Sequence, residues 1–189
     1  MTGEPLSRRE WLLASYVLLH GPEIAAAQRH AEQAAQAGGT KLDFFDRETA
    51  AEIEAIAAQI IPTDETPGAR EAGVIYFIDR ALTTFQKSSQ EAYRHGLEEA
   101  EKKRAELFPA STSIAALAPD EQLALVKAIE QTPFFGLLRF HTILGFFGDP
   151  SYGGNRNQAG WKLIGFEDKG AFEPPFGYYD AHPNEGDEK

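Results

Sequence analysis

The stretch FFGLLRFHTILGFF, residues 134–147, limits the fold more than any other part of this chain. Arg139, His141 and Thr142 are its only polar side chains. A helix of this composition has no polar face to turn to water, so the stretch predicts a buried central helix that other helices must surround. His141 within it reads first as a hydrogen-bonded core histidine.

Upstream segments supply the surrounding helices. In DRETAAEIEAIAAQIIP (46–62), Asp46 is placed to cap, Ile53, Ile56, Ala57 and Ile60 recur on one face, and Pro62 ends the run. A Pro- and Gly-punctuated loop (62–73) follows, then an apolar stripe of Val74, Ile75, Ile78, Leu82 and Phe85 over roughly 72–87. Residues 88–108 open with Ser88 three positions before Glu91, a capping-box spacing. Tyr93, Leu97, Ala100, Arg104 and Leu107 then line one side, opposite a mixed-charge face. In APDEQLALVKAIEQ (118–131), Pro119 opens a helix with acids in its first turn, and Leu123, Val126 and Ile129 mark the stripe. No segment alternates with period two. The expected fold is all-α, four to five helices around one core, followed by a long irregular Gly- and aromatic-rich C-terminal segment.

That segment begins after Gly148. Between Gly145 and Tyr179 there are eight glycines and nine aromatics, with prolines at 150, 174 and 175. A loop of this length inside a compact domain is functional or docked on something. Aromatics beside glycine suit a surface made for a protein partner.

Composition excludes several function classes. A net charge of −11 lacks the basic footprint that nucleic acid requires. With no cysteine, there is no disulfide framework, thiolate-bound cluster or C-x-x-C-H haem attachment. No apolar run approaches the roughly 18 residues that span a bilayer. The histidines at 20, 30, 95, 141 and 182 include no helical metal pair. Gly153-Gly154-Asn155 matches neither phosphate-binding glycine pattern. The one enzymatic alternative is a small hydrolase or lyase using Asp64, Glu65 and His141, against which stands a non-catalytic interaction protein.

Two blocks carry a family resemblance. P-T-D-x-T-P-G-A-x-x-A-G-V (62–74) and G-D-P-x-Y-G-G-N-x-x-x-x-G-W (148–161) together resemble the gluconate 2-dehydrogenase subunit 3 family, over about residues 42–180. The resemblance implies a small subunit that binds no catalytic group, metal or cofactor of its own. Its partner would be a large FAD-containing dehydrogenase subunit, with a cytochrome c subunit where present. In that setting Tyr152, Gly153, Gly154, Asn155, Gly160, Trp161 and Phe166 are expected to form a rigid partner-binding loop, with Trp161 as its anchor.

The N-terminus fits an export role. Arg8-Arg9 precede a short apolar stretch, Trp11–Leu19, and small residues at Ala25–Ala27, the layout of a twin-arginine signal. The apolar part is short and broken by His20-Gly21-Pro22. Residues 1–41 are thus expected to be a signal or N-terminal helical segment, 42–180 the helical domain and 181–189 a polar tail. The expected location is the periplasm, or the cytoplasm if the short signal does not work.

Overall fold

A computed structural model describes residues 41–169. The twin-arginine pair Arg8-Arg9, the N-terminal segment before 41 and everything after 169 lie outside the described residues. Within them the fold is all-α. Its helices are α1 (Arg47–Ile60), α2 (Val74–Thr83), α3 (Gln90–Leu107), α4 (Pro119–Ile129), α5 (Pro133–Phe147) and a short α6 (Ala159–Leu163). No strand occurs among the described residues.

α5 is the hub, packing against α1, α2, α3 and α6, while α4 closes the far side against α1 and α3. Local chemistry sets the starts of these helices. Asp46 accepts the Thr49 amide at 2.7 Å, and Thr132 accepts that of Phe135 at 3.2 Å. Glu121 reaches back to the Ala118 amide at 2.9 Å. Each satisfies an amide that has no partner within its helix.

Several expectations need correction. α3 has no Ser88–Glu91 capping box: a 3-10 turn, Lys87–Ser89, runs straight into the helix. Ser89 instead donates to the Gln86 side chain at 3.1 Å. α2 stops at Thr83, which leaves Phe85 outside the helix and exposed. On α4 the buried residues are Leu125, Val126 and Ile129, with Leu123 turned outward, and on α3 Leu107 is exposed.

The largest correction concerns α5. One stripe, Phe134, Leu138, His141, Thr142, Gly145 and Phe146, is buried as its composition demanded. The opposite side is not enclosed: Gly136 and Arg139 are exposed and Phe140 is 52% exposed. The described helices around α5 cover only part of its circumference and leave an apolar strip there.

Two buried polar groups hold the body together. Asp79 on α2 accepts the amides of Asp43 (2.7 Å), Phe44 (3.0 Å) and Phe45 (2.8 Å), tying the segment before α1 to α2. His141 lies between helices with its Nδ1 2.9 Å from the Tyr93 hydroxyl, the two rings nearly parallel. Its Nε2 has no hydrogen-bond partner. Burial pushes the His141 pKa below its ordinary value of 6.5, because desolvation disfavours imidazolium. Protons then bind more readily to the unfolded chain, so the contribution of His141 is present above pH 6.5 and is lost as pH falls.

Tyr93→Phe would leave both His141 nitrogens unpaired in the core. We expect a loss of about 1–3 kcal/mol, read as a lower denaturation midpoint with an unchanged m-value.

Candidate partner interface

The two sequence motifs meet in space. The first, 62–73, is a turn built on carboxylates. The Ala69 amide donates to the Ile61 carbonyl at 2.8 Å. Asp64 accepts the Thr66 amide (2.8 Å) and hydroxyl (3.0 Å). Glu71 accepts the Thr63 hydroxyl (2.6 Å) and the Gly68 amide (2.9 Å). These donors hold both carboxyls below their ordinary values, and both side chains are engaged in shaping the turn.

The second motif leaves α5 at Gly148 and folds straight back onto it. Asp149 accepts the Ser151 amide at 2.8 Å and starts a 3-10 turn, Pro150–Tyr152. Asn155 comes next and is fully buried, with a left-handed backbone at φ 46°. Its Nδ2 donates to the Gly148 carbonyl at 2.8 Å, and its Oδ1 accepts the Gly160 amide at 2.8 Å. One side chain therefore closes both ends of the loop. Asn157 and Gln158 are also left-handed, at φ 56° each. That conformation costs about 1 kcal/mol or more for a residue with a Cβ, so the surrounding contacts must enforce it.

The glycines of this motif serve close approach. A Cβ on Gly154 would overlap the Gly145 carbonyl of α5, and one on Gly160 would overlap the Phe146 carbonyl. The loop backbone can lie directly on the helix only because these side chains are missing. Trp161 then donates its indole N–H to the Phe147 carbonyl at 2.8 Å and is 9% exposed. Its ring meets Phe166 edge-on at 4.9 Å. Residues after Gly148 are thus more ordered than their composition suggested: the 3-10 turn at Pro150–Tyr152 is followed by a tight turn through the left-handed Asn157 and Gln158 that leads into α6.

Arg156 joins the two motifs. Its amide donates to the Ala72 carbonyl at 3.0 Å, and its guanidinium lies 4.0 Å over the Tyr76 ring. Arg80 adds a second tie, donating to the Ser151 carbonyl at 2.8 Å.

The expected partner-binding residues therefore divide. Gly154, Asn155, Gly160 and Trp161 point into the chain's own fold, and Gly153 lies against the α2 backbone at Tyr76. Trp161 anchors the loop to α5. Tyr152 (54%) and Phe166 (46%) remain on the surface. Sequence reasoning missed Phe85 and Phe140 as surface residues, because both read as members of buried stripes. Phe85 (58% exposed) and Tyr152 line an apolar groove of about 360 Å³ with Phe77 and Leu144. A second groove of about 260 Å³ runs between the motifs, bordered by Pro67, Ala159 and Leu163, with Glu71, Arg156 and Lys162 at its edge.

The enzymatic alternative finds no assembled site here. His141 is enclosed with Tyr93 as its partner, whereas Asp64 and Glu65 sit exposed on the turn. No group of three or more potential metal ligands occurs among the described residues. No helix among them is long and apolar enough to cross a membrane.

Among protein families, the model described as Gluconate 2-dehydrogenase subunit 3 matches residues 47–168. No curated protein and no solved structure matches this chain.

Asn155→Ala would remove both loop closures and leave a buried amide and carbonyl unpaired. The expected cost is about 2–4 kcal/mol. Gly160→Ala should cost about as much or more through overlap with the α5 backbone. Chemical denaturation of each purified variant checks both.

Proposed function

This chain belongs to the gluconate 2-dehydrogenase subunit 3 family, and from that premise we propose that it is a non-catalytic small subunit of an FAD-dependent dehydrogenase complex. The large subunit, of the glucose–methanol–choline type, would hold the FAD and oxidise gluconate or a related sugar. This chain would stabilise it in folding and accompany it out of the cytoplasm on the Arg8-Arg9 signal. A cytochrome c subunit, where present, would take the electrons onward at the membrane.

The observation that best supports this reading is the combination of a rigid loop and uncovered aromatics. Asn155, Gly154, Gly160 and Trp161 fix the backbone from inside, and Phe85, Phe140 and Tyr152 stand exposed around α5. Large aromatics held on a rigid support lose little entropy on binding, which is how interface hot spots act. Charge is sparse on α5 itself, where Arg139 is the only charged residue, and Asp149 borders the groove beside Tyr152. Depletion of charge at the centre of a patch is typical of protein interfaces.

The test separates surface from scaffold. Phe85→Ser with Tyr152→Ser removes two exposed rings and no buried contact of the Asn155 loop. Co-produced with its flavoprotein, this double variant is expected to keep its thermal midpoint and lose complex affinity by roughly 30-fold or more. Unchanged affinity would count against docking on this face. For the export role, Arg8→Lys with Arg9→Lys is expected to retain both this chain and the flavoprotein in the cytoplasm, as cell fractionation would show. Export of the flavoprotein at its usual level in that strain would remove the role.

A further inference from the structure

The turn between α3 and α4, residues 108–118, contains no charged residue, yet it is fastened by carboxylates reaching in from two helices. The Ile114 amide donates to Oε2 of Glu52 on α1 at 2.7 Å and to Oε1 of Glu101 on α3 at 3.1 Å. The Ala115 amide also reaches Glu52, at 3.3 Å. Two carboxyl groups accepting one N–H must lie close together. Arg104 on α3 balances one of them, binding the other oxygen of Glu101 through Nε (3.0 Å) and Nη2 (2.9 Å). It also donates to the Ser111 carbonyl. From α4 the residue reaching this junction is the uncharged Gln122, which donates to the Ile114 carbonyl at 3.3 Å and accepts from Gln59 of α1. The charged groups facing one another are therefore Glu52, Glu101 and Arg104.

Two acids with a single cation leave one negative charge uncompensated in a partly desolvated site, and like charges this close do not both ionise readily. We propose that Glu52, the acid without a cation, keeps its proton and gives it in a hydrogen bond to Glu101, and that this proton is a pH-sensitive fastening of the 108–118 turn to α1 and α3. With the proton in place, Glu52 donates to Glu101 and both still accept from the turn. Loss of the proton sets two carboxylates against each other across the Ile114 amide. Ile114 and Leu117 are buried core residues, so a loosened turn withdraws apolar contacts from the corner between α3 and α4.

The titration agrees with this geometry. Burial first, and then the neighbouring Glu101, push Glu52 up from 4.5 to about 7. A carboxyl raised on folding binds its proton more tightly in the native state, so its contribution is present at low pH and fades as pH rises from about 4.5 through 7. His141 has the opposite sign over part of this range. Global stability mixes the two, and a local readout is needed. The inference is independent of the accessory-subunit reading.

Amide hydrogen exchange on the full chain supplies that readout, with rates corrected for intrinsic base catalysis. Protection of the Ile114 and Ala115 amides is expected to fall roughly tenfold between pH 6 and pH 8. The Leu138 amide in α5, which reports global opening, falls by less because the His141 contribution rises over part of that range. Glu52→Gln can accept from Ile114 and donate to Glu101 as the protonated acid does, so its protection should be flat over the same range. If that variant lacks the native helical spectrum, Glu101→Gln removes the neighbouring charge but not the burial of Glu52, so its fall should be smaller than that of the wild-type chain. A wild-type chain with no local fall, or a folded variant with the wild-type fall, would overturn the proposal.

Discussion

The distinctive half of this structure depends on Asn155. A fully buried amide side chain is costly unless its donors and acceptor are met, and here both ends are. By binding the carbonyl where α5 ends and the amide where α6 begins, it turns the glycine-rich chain from Gly148 to Gly160 into a fixed loop. The left-handed conformations at Asn155, Asn157 and Gln158 persist because this closure and the Arg156–Ala72 bond determine them.

From that closure follow the other features of the surface. Gly154 and Gly160 let the loop lie on α5, Trp161 pins it at Phe147, and Arg156 carries the fixed geometry across to the 62–73 turn. The consequence is a division of labour within one motif. Its small and amide residues face inward and set the shape, whereas Tyr152 and Phe166 face outward, beside Phe85 and the uncovered side of α5. A partner would meet a surface already ordered, so association would not have to supply the entropy of ordering the loop.

How much of this was legible in the sequence varied with the range of the interaction. Short-range signals were readable: Asp46 caps α1, Pro119 starts α4, and the apolar spacing of Ile53, Ile56 and Ala57 marks a buried face. The all-α fold and the family followed from such signals and from the two motifs. Where a local pattern admits two outcomes, tertiary packing decided. Leu123 and Leu125 are equally apolar, but only Leu125 faces α1 and α3. The composition of α5 could not say that the helices among the described residues leave Phe140 exposed. Trp161 reads the same whether it fills a partner's pocket or its own chain's, and only the position of the Phe147 carbonyl distinguishes them. The ties made by Asp79 across 36 residues and by Glu52 across 62 residues leave no periodic trace at all.

The central claim is that this chain is a subunit of a flavin-dependent dehydrogenase that carries no catalytic group itself. The most direct test is to tag the C-terminus, purify the protein from its native host, and record the visible spectrum and the masses of what co-elutes. The account predicts a large companion of fixed stoichiometry with flavin absorption and sugar-acid or sugar dehydrogenase activity. A colourless chain eluting alone from cells that contain the active flavoprotein would contradict it.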